Sequence, residues 1–407
     1  MRRNAWKIAV GLALTAISTC LAPGATAPAE SSSPAAPQLT TITIPGSAGE
    51  IPAKWLGYPG PPRANVLLPA GYNPDRRYPL LVLLHGLNSN YDWVAQSGLI
   101  KDLYGLDAIV VMPEGGSGWY TDWWNGSARG TPAWESYELN DVIPTILTHY
   151  PILPQRRYHA IAGVSMGGLG AVYLAGRLPG FFGSVASLSG FVDLGYFPAL
   201  VAPGMGLTAL APFKGNDNIN PVDGPPNGFY FNGHNPALLT ENLKQTRVFE
   251  STGTGVPSSA GLSQKGSLAQ VLEGSLAESL VIFPMNQLYH AALDAAGVDV
   301  TYQSHPGGHD IPDFSNEFAA MLSWGLFQPV VGASEAWGNK TVATSGQLWS
   351  VGYHFDRPPD DVVEFRQSGS TLSVSATGSP VTITVNGHCP IRTNTPATIT
   401  IPGPHCT

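Results

Sequence analysis

A serine between glycines follows a short apolar run near the middle of the chain. The pentapeptide Gly-Val-Ser-Met-Gly occupies residues 163–167, after the apolar run 158–163 and before the helix-forming stretch 169–177. Glycines beside a serine allow a tight strand-to-helix turn that exposes the serine hydroxyl. The pentapeptide alone is a weak signal, but its strand-turn-helix context predicts that Ser165 is a nucleophile rather than an ordinary serine on a glycine-rich turn.

A serine hydroxyl becomes a good nucleophile when a histidine takes its proton. In proteins with this turn, the histidine comes after the acid and late in the chain. His309 lies in the glycine-rich segment 306–310, directly after the strand-like run 298–304. We predict that His309 is the base, and His305 is the alternative.

The histidine needs a carboxylate that fixes its tautomer and stabilises its charged form. Five acidic residues between Ser165 and His309 are candidates: Glu250, Glu273, Glu278, Asp294 and Asp299. The acid is expected after the strand-like run 246–250, which favours Glu273 and Glu278. The pattern of residues leaves these two open.

Ester attack also needs backbone donors for the oxyanion. One donor is normally the amide after the nucleophile, and the other follows an early strand. These positions are Met166 and Leu87, the latter after His85-Gly86. Trp124, in a tryptophan-rich segment, is a candidate substrate contact that could stack on a sugar or line an acyl groove, with core packing as the alternative.

The elements around these residues alternate between strand and helix. Apolar runs at 78–84, 108–112 and 158–163 read as buried strands, with helical stretches at 136–148, 169–177 and 276–296. This alternation predicts an α/β fold with a doubly wound, mostly parallel sheet over residues 38–330. From 331 to 407 the sequence changes to Thr/Ser/Val alternation, which predicts a small antiparallel β-domain.

Composition excludes several classes of protein. The chain has 407 residues, a net charge of -8, 47 glycines and 37 prolines. That many helix breakers exclude a helical bundle or coiled coil, and no strict glycine period indicates collagen. No basic cluster follows Arg2-Arg3, so a nucleic-acid partner is not expected. No cofactor or metal is expected either.

The N-terminus has the order of regions found in secretory signals. Residues 1–27 run from basic residues through the apolar run 8–22 to small residues, and 28–37 form a Ser/Ala/Pro linker. The apolar run is shorter than the ~20 residues of a spanning helix, and no later segment is expected to span a membrane. We therefore predict export, with a lipoprotein at Cys20 as the alternative.

Removal of the signal would leave two cysteines in an oxidising compartment. Cys389 and Cys406 are then expected to form one disulfide. The alternatives are two unpaired thiols, or a zinc site completed by His388 and His405.

Several joined motifs resemble the esterase D and antigen 85 branch of the α/β-hydrolases, over roughly residues 78–324. These motifs are Met-Pro-Glu-Gly-Gly at 112–116, Trp-Tyr-Thr-Asp-Trp at 119–123, Trp134-Glu135, the serine turn 163–168, Ser-Leu-Ser-Gly at 187–190, Asn235-Pro236, 252–255 and Glu278-Ser279-Leu280. The resemblance implies an α/β-hydrolase and favours Glu278 over Glu273 as the acid.

One departure from the family bears on the acceptor of the acyl group. Mycolyltransferases of this family look like they hold a trehalose hydroxyl with an Asp before Gly-Leu and an Arg after it. This chain has His85 and Asn88 at those two positions. His85 is therefore a candidate substrate contact, and the resemblance implies water rather than trehalose as the acceptor.

Three functions remain open at this stage. The first is a secreted serine esterase acting on a small-molecule, lipid or glycan ester. The second is a cell-envelope acyltransferase that passes the acyl group to a sugar or lipid hydroxyl. The third is a non-catalytic wall or carbohydrate-binding protein, in which the β-domain contacts polysaccharide.

Overall fold

Eight strands in the first part of the protein form one sheet. The computed structural model describes residues 35–45, 51–124, 130–196, 222–225, 227–263, 268–332 and 335–402. These strands are β1 (Gln38–Thr43), β2 (Arg63–Leu68), β3 (Leu80–Leu84), β4 (Ile109–Pro113), β5 (His159–Val164), β6 (Ser184–Leu188), β7 (Arg247–Gly253) and β8 (Val300–His305). Their order is β1-β2-β4-β3-β5-β6-β7-β8. The six strands from β4 to β8 in this order run parallel, and β1 and β2 pair antiparallel at one edge.

The central strands are buried on both faces, as expected of parallel strands covered by helices. On β3, Leu80, Val82 and Leu84 face one apolar cluster, and Leu81 and Leu83 face another. Side chains alternate between the two sides of a strand, so one short apolar run supplies both cores.

Helices cover these two faces. Among the described residues they are α1 (Trp93–Gln96), α2 (Trp134–Tyr137), α3 (Ile143–His149), α4 (Met166–Arg177), α5 (Phe229–Asn232), α6 (Ser259–Ser263), α7 (Leu268–Ala277), α8 (Phe283–Ala296) and α9 (Ile311–Trp324). Two π-helical turns, Glu138–Val142 and Glu278–Ile282, join α2 to α3 and α7 to α8. Short 3₁₀ segments lie at Ala53–Trp55, Leu99–Leu103, Arg156–Tyr158, Pro236–Leu238 and Thr240–Leu243.

The second part of the protein is a β-sandwich. Its strands are β9 (Ala336–Thr341), β10 (Ser345–Leu348), β11 (Val351–Phe355), β12 (Val363–Ser368), β13 (Thr371–Val374), β14 (Val381–Val385), β15 (His388–Thr393) and β16 (Ala397–Thr400). They form two antiparallel sheets, β10-β11-β14-β15 and β16-β13-β12-β9. The inner faces share a separate core that includes Tyr353, Phe355 and Phe365.

Buried polar contacts join the sandwich to the first part of the protein. Arg177, the last residue of α4, pairs with buried Glu135 and donates to the hydroxyl of Tyr353 at 3.1 Å. Asn339 on β9 donates to the carbonyl of Gly176 at 2.9 Å. Residues 35–407 group as one compact unit. The sandwich is therefore held by specific contacts as well as by chain connection.

The expected fold class is confirmed: a mostly parallel sheet with helices, followed by antiparallel sheets. Sequence reasoning missed β6 and α9. The strand β6 reads Ser-Val-Ala-Ser-Leu, with too few large apolar residues to stand out, because it packs beside the glycine-rich helix α4. The domain boundary at 330 stays a prediction. The signal 1–27, most of the linker and Cys406 lie outside the described residues, so export and the Cys389–Cys406 disulfide stay predictions.

The sequence predicts no later segment that is long and apolar enough to cross a membrane, but one helical stretch meets both criteria. Leu268–Ala296, 29 residues long, qualifies by length and composition, and 33% of the apolar window within it is buried. The sequence reading began this helix at 276, whereas α7, the π-helical turn and α8 form one continuous stretch. Glu278 lies inside it and is 0% exposed, so one side of the stretch belongs to the packed interior.

Candidate active site

Ser165 lies at the sharp turn between β5 and α4. Its backbone has φ +59° and ψ −119°, a conformation that L-residues rarely adopt. A Cβ on Gly163 would stand 2.1 Å from the carbonyl oxygen of Gly167, and a Cβ on Gly167 would stand 2.3 Å from that of Leu84. The two glycines are therefore required by close backbone packing, and the turn holds the Ser165 side chain at the carboxyl edge of the sheet.

His309 lies on the loop after β8 and contacts the helix stretch that carries the acid. Its Nδ1 is 2.8 Å from Oε2 of Glu278. Its backbone N–H donates to the carbonyl of Gly274 on α7 at 3.1 Å, and its ring packs edge-on against Phe314. These contacts fix the ring while 21% of the side chain stays exposed. His309 and Ser165 line the same cleft.

Glu278 is fully buried and accepts several hydrogen bonds. It is the first residue of the π-helical turn between α7 and α8. Besides His309, its carboxylate accepts from Ser189 Oγ at 2.7 Å and from Thr252 Oγ1 at 2.9 Å. Glu273, the other candidate acid, is exposed on α7. The geometry thus distinguishes two glutamates that the pattern of residues left open.

The surroundings of His309 favour its charged form. Burial lowers the pKa of the His309 ring, but the hydrogen bond and the charge of Glu278 raise it by more. The charges of Glu317 and Asp310 also raise it, so the pKa of His309 lies above the ordinary value for histidine. A raised pKa suits a base that must stabilise a transferred proton.

The two predicted oxyanion donors come from the start of α4 and from the loop after β3. Met166 is the first residue of α4, where backbone N–H groups have no partner within the helix. Leu87 follows β3, and a Cβ on the preceding Gly86 would stand 3.5 Å from Cβ of Ser165. The loop after β3 is therefore in contact distance of the serine.

His85 is a buried connection between two loops. Its side chain accepts from the N–H of Gly115 through Nε2 at 2.9 Å, so Nδ1 carries the proton and donates to the carbonyl of Gly86 at 2.8 Å. The hydroxyl of Tyr120 donates to the His85 carbonyl at 3.0 Å. His85 is 2% exposed and does not line the cleft beside Ser165. The structure buries it at the start of the loop that carries Leu87.

Trp124 is not among the described residues that line the cleft. It is 40% exposed and packs against Tyr230 and Phe229 of α5, with ring centroids 5.1 and 5.7 Å away. Its position is a partly exposed aromatic cluster, and the structure does not bring it together with Ser165.

The cleft around Ser165 and His309 has a volume of about 570 Å³. Its walls combine an apolar side with a few polar groups, as in small-molecule sites. The remaining lining residues are Gly86, Leu87, Ser89, Trp93, Val164, Gln270, Asp310, Ile311 and Phe314. Among the described residues, no group of three or more His, Cys, Asp or Glu could hold a metal ion.

Sequence reasoning missed the polar residues behind Glu278. Ser189 lies in the Ser-Leu-Ser-Gly motif at 187–190, which gave a family signal but no role. Glu317 on α9 contacts both Ser189 and His305, the alternative histidine. Nothing in the sequence links Glu317 to Glu278, because the contact depends on how α9 packs against the sheet.

Comparisons with known proteins match this architecture. A family model described as "Putative esterase" matches residues 58–324. An esterase of Mycobacterium tuberculosis is 30% identical over 254 residues, which cover 61% of this chain and 52% of the relative. The chain thus spans about half the length of this relative. The diacylglycerol acyltransferase/mycolyltransferase Ag85C of Mycobacterium leprae is 24% identical over 295 residues, covering 69% of this chain and 84% of that protein.

Solved structures share the fold. The crystal structure of Mycobacterium tuberculosis MPT51 has a TM-score of 0.50 and 20% identity, and the match covers 69% of this chain and 96% of that one. An S-formylglutathione hydrolase from Agrobacterium tumefaciens has a TM-score of 0.50 and 17% identity, with 72% and 95% covered. At these identities the likeness concerns the fold alone.

Proposed function

Because the chain belongs to the esterase family matched over residues 58–324, we propose that it is a serine hydrolase of carboxylic esters. The observation that carries this proposal is the hydrogen bond of 2.8 Å between buried Glu278 and His309, which lines the same cleft as Ser165. A nucleophile, a base and a carboxylate that orients the base are the three groups that acyl transfer through serine requires.

The first half of the reaction forms an acyl-enzyme. Nε2 of His309 takes the proton of Ser165 as Oγ bonds to the ester carbonyl carbon, and the carbonyl electrons move to oxygen. The amides of Leu87 and Met166 hold this oxyanion. When the carbonyl re-forms, the alcohol leaves with the proton from His309, and the acyl group stays on Ser165.

The second half repeats these steps with water. His309 takes a proton from water, the hydroxide bonds to the acyl carbon, and the oxyanion is held as before. Collapse breaks the bond to Ser165 Oγ, which regains the proton from His309, and the acid leaves. Glu278 holds the His309 ring in place in both halves and stabilises its charged form.

Acyl transfer to an alcohol is a second candidate for the same acyl-enzyme. The similarity to the mycobacterial acyltransferase over 84% of its length favours it. Water is the preferred acceptor in our proposal, because His85 and Asn88 stand where the resembling transferases have Asp and Arg. The proposed substrate is a carboxylic ester of a small molecule, a lipid or a glycan.

We further propose that the protein acts outside the cell or at the cell envelope. The support is the basic, apolar and small-residue order of residues 1–27. N-terminal sequencing of protein recovered from the culture medium tests this: a mature end near residue 28 supports it, and an intact Met1 in a cytosolic fraction contradicts it.

Release of p-nitrophenol from acetate through palmitate esters tests the hydrolase. Wild type, Ser165→Ala and the control Ser263→Ala, an exposed serine outside the cleft, are compared with and without trehalose or glycerol. We expect turnover that Ser165→Ala abolishes, Ser263→Ala retains and added alcohol does not change. A burst that stalls until alcohol is added would instead indicate a transferase. Folded wild-type protein without any release would contradict both enzymatic proposals.

A further inference from the structure

Two buried carboxylates share one serine hydroxyl behind the candidate triad. Ser189 Oγ is 2.7 Å from Oε1 of Glu278 and 3.0 Å from Oε1 of Glu317. Both glutamates are 0% exposed and Ser189 is 1% exposed. A serine hydroxyl has one proton, so it can donate to only one of the two carboxylates at a time.

The outer carboxylate has a histidine of its own. Oε1 of Glu317 is 3.1 Å from Nε2 of His305, whose side chain is 21% exposed. The second oxygen of Glu317 has no hydrogen-bond partner within the described part of the chain. Glu317 thus lies between the buried Glu278 and a histidine that reaches solvent.

We propose that Glu317 and His305 form a second acid–base pair that acts through Ser189 and sets how strongly Glu278 holds His309 in its protonated form. All three are positioning residues, since none touches the reacting atoms. The proposal rests on the hydrolase function proposed above and adds a pH control to the same site.

The effect on His309 depends on which carboxylate the Ser189 hydroxyl donates to. When Glu317 is protonated, its hydroxyl can donate to Ser189, and Ser189 donates to Glu278. When Glu317 is ionised, Ser189 can donate to Glu317 instead, which leaves Glu278 with one hydrogen bond fewer. A carboxylate that accepts fewer hydrogen bonds interacts more strongly with each remaining donor, so Glu278 then favours the charged form of His309 more strongly.

Burial, with the neighbouring charges, brings the pKa of Glu317 towards neutral pH. Burial raises the pKa of Glu317 to about 7, helped by the charge of Glu278 and opposed by His305 and Ser189. The hydrogen bond that His305 donates to Glu317 raises the pKa of His305 to about 9, against the effect of burial.

Other charged groups also face this cluster. Asp313 on α9 acts on His305, and Asp310 on the β8–α9 loop acts on His309; both favour the charged rings. Neither aspartate is bonded to Ser189 among the contacts of the described residues, so replacing Glu317 changes the bridge and leaves these aspartates in place.

The test follows the rate at which a fluorophosphonate labels Ser165 as a function of pH. Glu317→Gln removes the negative charge but keeps a side chain of similar shape. We expect the midpoint of the acid limb to move to lower pH by about half a unit or more. The control is Glu250→Gln: Glu250 is also 0% exposed, on β7, but neither oxygen has a hydrogen-bond partner among the described residues. The control midpoint should not move.

A double-mutant cycle tests the route through Ser189. In a Ser189→Ala background, Glu317→Gln should move the midpoint by less than half of its effect in wild type. An equal shift in both backgrounds would overturn the role of Ser189, and an unmoved midpoint in Glu317→Gln alone would overturn the pair.

His305→Gln provides a second variant if Glu317→Gln does not fold. Without a nearby cation, Glu317 should stay protonated to higher pH, so the midpoint again moves down; an unchanged midpoint would contradict the proposal. Ser165→Ala separates the two proposals. Labelling that persists in Ser165→Ala overturns the hydrolase proposal. If Ser165→Ala loses the labelling but Glu317→Gln and His305→Gln leave the midpoint unmoved, only the proposed pair is overturned.

Discussion

At the residue scale, the choice of Glu278 over Glu273 depends on direction and not on distance along the chain. The two glutamates are five positions apart on one continuous helical stretch, yet one is buried against His309 and the other is exposed. The π-helical turn begins at Glu278, and such turns are frequent at functional sites. A carboxylate on a helix is a candidate acid only when its side of the helix faces the histidine.

Glu278→Gln should therefore reduce kcat by about 10³ to 10⁴-fold, while Glu273→Gln should leave it unchanged. The amide keeps the shape of the side chain, but it cannot stabilise the charged ring and can favour the wrong tautomer. Steady-state kinetics on the preferred ester provide the measurement. Equal losses in the two variants would show that neither glutamate is the acid.

The raised pKa of His309 predicts the pH dependence of hydrolysis. His309 must be neutral to accept the proton of Ser165, so kcat/KM should fall as the pH drops through that pKa. Because Glu278 raises the pKa above 6.5, the midpoint of the acid limb should lie above 6.5. A pH series of kcat/KM in wild type measures it, and a midpoint below 6.5 would contradict the assigned pairing.

At the element scale, the turn between β5 and α4 depends on backbone atoms that almost touch. The helix comes so close to the end of β3 that Gly167 has no room for a side chain. This closeness also brings the first amides of α4 near the loop that carries Leu87. The two glycines thus position both the nucleophile and the predicted oxyanion donors.

Gly167→Ala should destabilise the protein by about 2 kcal/mol or more and abolish hydrolysis, because its Cβ would stand 2.3 Å from a main-chain oxygen. Gly105→Ala is the matched control, since no heavy atom lies within 4 Å of its Cβ position. Urea unfolding and esterase assays measure both effects. Full activity in Gly167→Ala would mean that the turn can open without loss of the site.

Much of this site is readable from the sequence because its signals are local. The serine turn, the glycine-rich loop of His309 and the strand before each are recognisable from neighbouring residues. Glu278 required a family resemblance, since the pattern of residues left both Glu273 and Glu278 open. Ser189 and Glu317 meet only after folding, 128 positions apart, and no local pattern records such a contact. The strand β6 was missed for a different reason, because its small residues suit packing against α4 and weaken the apolar signal.

At the scale of the whole molecule, the buried ion pair of Arg177 with Glu135 lies beside the sandwich, and Arg177 also donates to Tyr353 on β11. Burial would raise the pKa of Glu135, but Arg177 and the hydrogen bonds from His234 and Tyr173 lower it to about 2, so the pair is ionised at neutral pH. Another ion pair, Arg366 on β12 with Glu241, crosses the junction between the sandwich and the first part of the protein and is about half exposed at Arg366. The first pair lies within the α/β part and the second crosses the junction, so the two pairs differ in their surroundings.

Arg177→Met should lower the free energy of unfolding by about 3 to 5 kcal/mol, because it leaves the Glu135 carboxylate buried without its cation. Arg366→Ala should cost about 1 kcal/mol or less, because water screens an exposed pair. Urea denaturation followed by fluorescence measures both values. Similar costs in the two variants would contradict the buried character of the Arg177 contact.

The same junction bears on how the chain can change during evolution. When a domain is gained or lost in evolution, the remaining domain must stay folded with the former interface exposed to water. Deletion of residues 331–407 would uncover Arg177, leave Asn242 without the Lys340 carbonyl that it binds at 2.9 Å, and expose the end of α4. Descendants without the sandwich should therefore carry compensating substitutions at Arg177 and Glu135, so the accessory sheets and the helix behind the nucleophile are expected to diverge together.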